Sequence, residues 1–501
     1  MEREKSLELA TTVAIAAALA ALVAWSFWVR WSILTETPFP VGIDGYFYPI
    51  QLRSLLEHGG LAYPASPLAF WMMAPLAKAT DPITGAKLGA ALFTALIALP
   101  AYGVGTRLGG NRGTGLIAAA LATTSAGSMF LTIEFVKNGI GLTIGLTALW
   151  LVLRAFERRS MLRIALALLA VIAAFLAHKS AAAFVIAIAV PAALAEASSV
   201  GALRGRRLLY ALGVLVVLAA IALVLGIVSP ERFLSVEDAR HQLWGDAQWM
   251  LPALATKNVT LTMGHEALIG VALAIGAAVV LWRNPGAIKR RPADRKAAWA
   301  IVVLAFVFAL PWLAVGDPQG LGFRIRIIAF LPMALCAAIV AGGLVQLVPT
   351  YREVALGVIA LVIVSAMPRV RTQGRVLAHP AMVAAVQGLA GRIPEGSIAI
   401  VPERHIAFMV TWYTGTPSRQ RPEPVPREKR WRVMPLAFLG AGSPLDEAVT
   451  AARNVPDLAP PIGTHPRHAN GLVLVPEPTW EWILARLPPS TREQFTRWPT
   501  I

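Results

Sequence analysis

The chain is 501 residues long, 56% hydrophobic and only 15% charged, with a single cysteine and a formal net charge of +17. Soluble domains carry about 25% charged residues, so the deficit makes lipid the solvent for most of this chain and excludes an ordinary water-soluble protein. The excess of Lys and Arg sits in short segments between apolar blocks, where membrane orientation accounts for it, and no RNA- or DNA-binding motif accompanies it; nucleic acid is not an expected partner.

A membrane-crossing helix needs roughly 20 apolar residues. Blocks of that kind run over 8–34, 83–105, 114–133, 139–154, 162–177, 180–197, 208–228, 263–283, 297–316, 325–347 and 353–368, or about eleven spans. The first block is too long for a cleaved signal peptide and reads as a retained anchor. Cys336 lies inside a later block and forms no intrachain disulfide.

Between the first two blocks, loop 35–82 carries two expected helices lying along the membrane, Tyr46–Glu57 and Pro67–Lys78; the second has the apolar run Phe70-Trp71-Met72-Met73. A tight turn further on holds Glu134-Phe135-Val136-Lys137-Asn138, and another holds His178-Lys179-Ser180. Loop 229–262 reads as an amphipathic helix with Trp244, Trp249 and Met250, and a last turn at 316–320 runs into Phe323-Arg324-Ile325-Arg326.

The other set of loops holds Arg107, Arg112, Arg154, Arg158, Arg159, Arg163, Arg204, Arg206, Arg207 and the cluster from Arg283 to Lys296. Every second loop is rich in Lys and Arg, which predicts a cytoplasmic N-terminus. An odd number of spans then puts the C-terminal residues on the outer side. The division predicted is 1–368 as membrane domain, with loop 35–82 part of it, and 369–501 as a small extracytoplasmic α/β domain. There Ser397–Pro402 reads as a strand, 406–413 as strand or helix, Asp446–Arg453 and Thr479–Arg486 as helices, and Arg419–Arg432 as a charged, Pro-rich loop.

Ionisable residues gathered at one membrane face point to function. Asp44, in Val41-Gly42-Ile43-Asp44-Gly45-Tyr46, is open to two readings: a general base toward a hydroxyl, or the N-cap of the helix that follows it. Glu134 and Lys137, three apart, either form a local ion pair or hold a divalent cation (Mg, Mn or Ca) and a phosphate. His178 is a metal ligand, an acid–base group or a hydrogen-bonded structural residue, and Lys179 a phosphate contact or an interfacial anchor. Arg324 and Arg326 break the polarity rule on the outer side, where guanidinium groups suit phosphate or lipid headgroups; Arg324 is favoured because it is nearer the turn.

The first-loop sequence GIDGYFYPIQLRSLLEHGGLAYPASPLAFWMMAPL resembles that of the GT-C superfamily of integral-membrane glycosyltransferases, with weaker echoes in EFVKNGIGL and GFRIRIIAFLP. The resemblance implies an α-helical polytopic bundle with an external C-terminal domain in a bacterial inner membrane. It also implies transfer of a sugar from a polyprenyl-phosphate donor to a lipid, glycan or protein acceptor. By the same resemblance Asp44 matches the first-loop acidic residue, Glu134 a second-loop carboxylate and Arg324 a late cation for the donor phosphate. One carboxylate near 134 stands where a DxD pair would be, and no WWDYG-type sequence follows, which turns the expectation from an asparagine-linked oligosaccharyltransferase to a monosaccharide transferase. The rival readings are a transporter or flippase of lipid-linked sugars, and a non-catalytic membrane scaffold with an outer binding domain.

Overall fold

A computed structural model describes residues 2–157, 160–199, 220–221, 223–228, 259–283, 291–309, 327–347, 356–357, 378–401, 403–420, 426–435, 447, 467–469, 472–490 and 492–493. In chain order the helices are α1 (Glu2–Leu34), α2 (Phe47–His58), α3 (Leu68–Ala79), α4 (Pro82–Ala95), α5 (Ala98–Gly109), α6 (Arg112–Thr124), α7 (Ala126–Ile133), α8 (Val136–Glu157), α9 (Met161–Ala177), α10 (Lys179–Ser199), α11 (Val259–Arg283), α12 (Pro292–Ala309), α13 (Phe330–Leu347), α14 (Pro380–Gln387), α15 (Arg404–Thr414) and α16 (Glu477–Arg486). The strands are β1 (Ile398–Ile400), β2 (Ser418–Arg419), β3 (Arg430–Pro435), β4 (Arg467–Ala469) and β5 (Leu472–Pro476). The chain forms two compact units, one of residues 1–36 and 63–373, the other of 37–62 and 374–501.

The first unit is a helical bundle. Five helical stretches among the described residues are long and apolar enough to cross a bilayer: Glu8–Leu34, Pro82–Gly109, Val136–Glu157, Lys179–Ser199 and Phe330–Leu347. The protein is thus a multi-pass membrane protein. Its outer surface is what lipid selects, with Leu9, Val13, Trp25, Trp28, Leu168, Leu169 and Ile172 all exposed. The span expected over 114–133 is not one straight helix. It is α6 and α7, bent by 46° at Ser125. Ser125 leaves the helical region (φ −66°, ψ 149°) and its hydroxyl accepts from the Ser128 amide, so a residue type favoured at N-caps starts a new helix here. Asp81 does the same for α4, accepting from Ile83 N at 2.8 Å and Thr84 N at 3.0 Å, with Pro82 in the first turn where its missing N–H costs nothing. The spans expected over 208–228 and 353–368, and the amphipathic helix over 229–262, lie largely outside the described residues.

Helix α13 runs through the core; Leu331 and the residues from Ala334 to Ala338 are fully buried. Close approach at its far end rests on glycine. A Cβ on Gly342 would lie 2.0 Å from the Gly109 carbonyl oxygen, and one on Gly109 would lie 2.4 Å from the Ala338 oxygen. Small residues let two backbones meet in this way where lipid provides no hydrophobic drive for association.

The second unit is a mixed five-stranded sheet in the order β2-β1-β3-β5-β4. β1 pairs parallel with β2 and β3, while β3–β5 and β5–β4 are antiparallel. Trp431 and Trp480, both 2% exposed, fill the space between sheet and α16. Beside them Arg432 grips Glu477 through two 2.7 Å bonds. The segment left open as strand or helix is α15, for Ile406, Ala407, Met409 and Val410 are buried at helical spacing and Gly415 (φ 72°) ends it in the left-handed region. Part of the expected charged loop over 419–432 is strand, since β3 begins at Arg430.

Replacing Gly342 by Leu sets a side chain against backbone that cannot yield. The variant is expected to lose roughly 3 kcal/mol, the upper range for overpacking, and to melt earlier than the parent in detergent, whereas Gly110→Ala beside it, with open space around its Cβ, carries only a left-handed backbone penalty of about 1 kcal/mol.

Candidate functional site

The first loop supplies one candidate centre, inside the second unit. The turn over Val41–Tyr46 is tight: Gly42 has φ 88°, and a Cβ on Gly45 would lie 2.7 Å from the Val41 oxygen. Asp44 sits at its apex, 8% exposed. The residue before the first turn of α2 is Tyr46, whose side chain makes no cap hydrogen bond, and the Asp44 carbonyl accepts from the Phe47 amide at 3.0 Å. The Asp44 carboxylate is paired with Arg404: Nη2 donates to Oδ2 at 3.2 Å, and Nε lies 2.8 Å from Oδ1 as an ion pair without hydrogen-bond geometry. The pair ties the carboxylate to the first turn of α15.

Arg404 begins a stripe along α15. Phe408 and Trp412 follow it at intervals of four, on one helix face. The Phe47 and Phe408 rings lie 5.4 Å apart, Arg53 stands 4.2 Å over Trp412 and donates to the Trp412 carbonyl at 3.1 Å, and the Tyr46 and Tyr413 hydroxyls are 2.9 Å apart. Burial, and then the bond to Tyr413, push the Tyr46 phenol above its ordinary pKa, so it stays neutral at all physiological pH. Ring packing and one charge pair thus hold the loop to the helix.

The other predicted residues belong to the first unit. Glu134, 6% exposed, ends α7, and its amide donates to the Phe130 carbonyl at 2.8 Å; Lys137, half-buried, lies in the first turn of α8. The two therefore share one helix–helix turn. His178 joins α9 to α10 in an extended conformation (φ −166°, ψ 136°) and is 5% exposed. Its Nδ1 lies 2.7 Å from Ser180 Oγ and accepts from the Ser180 amide at 3.2 Å, which places the proton of the neutral ring on Nε2. Of the readings open to His178, a hydrogen-bonded turn residue is one the geometry displays. Lys179, half-buried, opens α10. Arg324 and Arg326 lie outside the described residues. Among the described residues no three His, Cys, Asp or Glu side chains gather as a metal site.

Sequence reasoning missed two buried charges at the bend of the third span. Arg30, 1% exposed, donates from Nη2 to the Thr123 carbonyl (2.9 Å) and Ser128 Oγ (2.8 Å), from Nε to Thr132 Oγ1 (3.1 Å), and from Nη1 to Ser26. Glu266, 5% exposed, accepts from the amides of Ala126 and Gly127, the latter at 3.2 Å. The guanidinium takes the carbonyl end of α6 and the carboxyl oxygens the amide end of α7, so each side of the break finds a polar partner. The available signal was an ionisable residue inside or at the edge of an apolar block, since both fall within blocks 8–34 and 263–283. For Arg404 there was no such signal; it lies 360 positions from Asp44.

A membrane bundle whose third span is broken, together with a mixed-sheet unit that binds the first loop, defines a class that comparison makes specific. No family model and no curated protein matches the sequence. Among solved structures, the apo oligosaccharyltransferase of Archaeoglobus fulgidus aligns with a TM-score of 0.58 at 12% identity, over 87% of this chain and 71% of that one. ArnT from Cupriavidus metallidurans aligns bound to undecaprenyl phosphate (TM-score 0.49, 15% identity, 91% of this chain and 97% of that one) and in the apo state (0.48, 14%, 92% and 98%). The chain has the fold of that oligosaccharyltransferase.

Two substitutions test the geometry. Glu266→Ala leaves two buried amides without their acceptor and is expected to cost roughly 2 to 4 kcal/mol, while Glu266→Gln, which keeps one acceptor oxygen, loses about half as much; thermal unfolding of the purified variants separates them. In the other unit, Arg404→Ala is expected to loosen the first loop. Limited proteolysis should then cut within 37–62 several times faster than in the parent, and an unchanged cleavage rate would mean that ring packing alone holds the loop.

Proposed function

We propose that this protein is a GT-C-type glycosyltransferase, moving a hexosyl or pentosyl group from a polyprenyl-phosphate donor to a lipid, glycan or protein acceptor. The observation that carries the reading is the first-loop carboxylate of Asp44, ion-paired with Arg404 on a chain with the oligosaccharyltransferase fold. An ionised carboxylate is acceptor-only, the property a general base toward an acceptor hydroxyl needs.

In the reaction we assign, the acceptor oxygen attacks the anomeric carbon with inversion and the bond from that carbon to the phosphate oxygen breaks. The lipid phosphate leaves with the electron pair, and the hydroxyl proton passes to Asp44. Lys137, Arg324, Arg326 and Lys179 are assigned to the donor phosphate, where stabilising the leaving group's charge is the largest catalytic term in such sites. A divalent cation on Glu134 and His178 belongs to the reading only as electrostatic help at that phosphate. Two donors are fewer than such an ion takes, and no step passes through it. The alternation of Lys and Arg among the loops supports a cytoplasmic N-terminus in a bacterial inner membrane, with residues 369–501 on the outer side.

The bent span favours a second reading, transport of the lipid-linked sugar, because transporters use broken helices with charged groups at their ends. Here Arg30 and Glu266 are occupied by the backbone groups of the break itself, which suits a structural duty better than a moving one.

Purified Asp44→Asn is expected to lose transfer by roughly 10²-fold or more, the range for a general base, with membrane insertion and elution unchanged. Turnover with a polyprenyl-phosphate sugar by D44N at the parental rate would remove the assignment. Movement of the labelled lipid across vesicles by D44N, with no transfer by the parent, would replace it with the transporter.

A further inference from the structure

One cavity in the first unit belongs to none of the chemistry above. It encloses about 490 Å³ and is lined by Gly103, Thr106 and Arg107 of α5, Trp150, Arg154 and Glu157 of α8, and Arg291 and Asp294 at the start of α12. These are the closing turns of two spans and the opening turn of a third helix, so the cavity lies at span ends, and its cations come from the Lys- and Arg-rich set of loops.

The charges around it are sorted. Arg107, 7% exposed, bridges Asp294 at 2.5 Å and Glu157 at 2.7 Å. Arg291 meets Glu196 at 3.0 Å and donates to the carbonyls of Phe156 and Glu157. Arg163 approaches Glu157 at 3.7 Å. Arg107, Arg163 and Arg291 thus each have a carboxylate partner. Arg154 differs: its exposed guanidinium lies 5.2 Å over the Trp150 ring and makes no carboxylate pair among the described residues. Trp150 in turn lies flat on α5, where a Cβ on Gly103 would come within 2.4 Å of its Nε1.

We propose that this cavity binds the headgroup of an anionic phospholipid, its phosphodiester taken by Arg154. A phosphodiester carries one negative charge and offers paired oxygens that a guanidinium matches in its plane. The Arg154 guanidinium fits one such group, and the volume of about 490 Å³ lies in the range of small-molecule sites. Trp150, a ring that prefers the boundary between chains and headgroups, forms the wall on the apolar side. The paired arginines and carboxylates keep the walls apart without competing for the phosphate.

The test uses the full chain in detergent, with bound lipid counted by native mass spectrometry after adding phosphatidylglycerol or phosphatidylcholine. The parent is expected to retain phosphatidylglycerol preferentially, and Arg154→Ala to retain roughly fivefold less of it, the effect of one interfacial charge. Arg154→Lys should restore a part, since it returns the charge without the fork. Arg154 is exposed, so the variants should elute as the parent does. Equal retention of the two lipids, or no loss in R154A, would overturn the proposal. So would stabilisation by free glycerol phosphate equal to that by the lipid, which would assign the cavity to a soluble phosphate.

Discussion

A helix that breaks inside a bilayer leaves carbonyls on one side of the break and amides on the other, and hydrocarbon satisfies neither. The break at Ser125 is possible because Arg30 reaches the carbonyl side and Glu266 the amide side. Much of the first unit's candidate chemistry hangs from that solution. Helix α7 is only eight residues long; its start is fixed by Ser125 and Glu266, and its end carries Glu134 and the turn to Lys137. Moving the break by one residue would rotate both side chains by about 100° around the helix axis. Two buried charges that touch no candidate residue therefore set where the candidates point.

The first loop is governed differently. Loops of this length are ordinarily free to vary, yet this one is tied by a pair of rings at 5.4 Å, a cation over an indole at 4.2 Å, two hydroxyls at 2.9 Å and the Asp44–Arg404 bond. Each contact lands on α15, on or beside the stripe at 404, 408 and 412. The helix acts as a rack, and its spacing is transferred to the loop. Because the tie is mostly aromatic, the order it gives the loop does not hang on the one charge pair alone.

Legibility followed the range of the interaction. The two loop helices were readable to within one residue, Tyr46–Glu57 against Phe47–His58 and Pro67–Lys78 against Leu68–Ala79, because apolar periodicity and the glycine and threonine stops are local. Five of the expected spans, those over 8–34, 83–105, 139–154, 180–197 and 325–347, were readable from length and hydropathy for the same reason. The bend in block 114–133 was hidden: Thr123-Thr124-Ser125 is no more polar than many spans tolerate, and only the arrival of Arg30 and Glu266 makes a break cheaper there than a straight helix. Segment 406–413 stayed open between strand and helix until its buried face was known. Asp44 was legible as a residue that mattered, but its partner was not, since nothing local ties 44 to 404.

The charged groups of this protein can be ordered by what already satisfies them, and the order separates architecture from chemistry. Arg30 and Glu266 are consumed by backbone at the break and hold shape. Arg107 and Arg291 are consumed by carboxylates and hold the ends of four helices, α5, α8, α10 and α12, together. Asp44 is paired with a guanidinium, and Arg154 is held by an aromatic face, which orients a cation but neutralises none of its charge. A charge fixed in place yet not cancelled is the costly state for the free protein, and a ligand of opposite charge relieves it. By that measure the guanidinium at the span ends, which makes no carboxylate pair among the described residues, is the group suited to a resident phosphate.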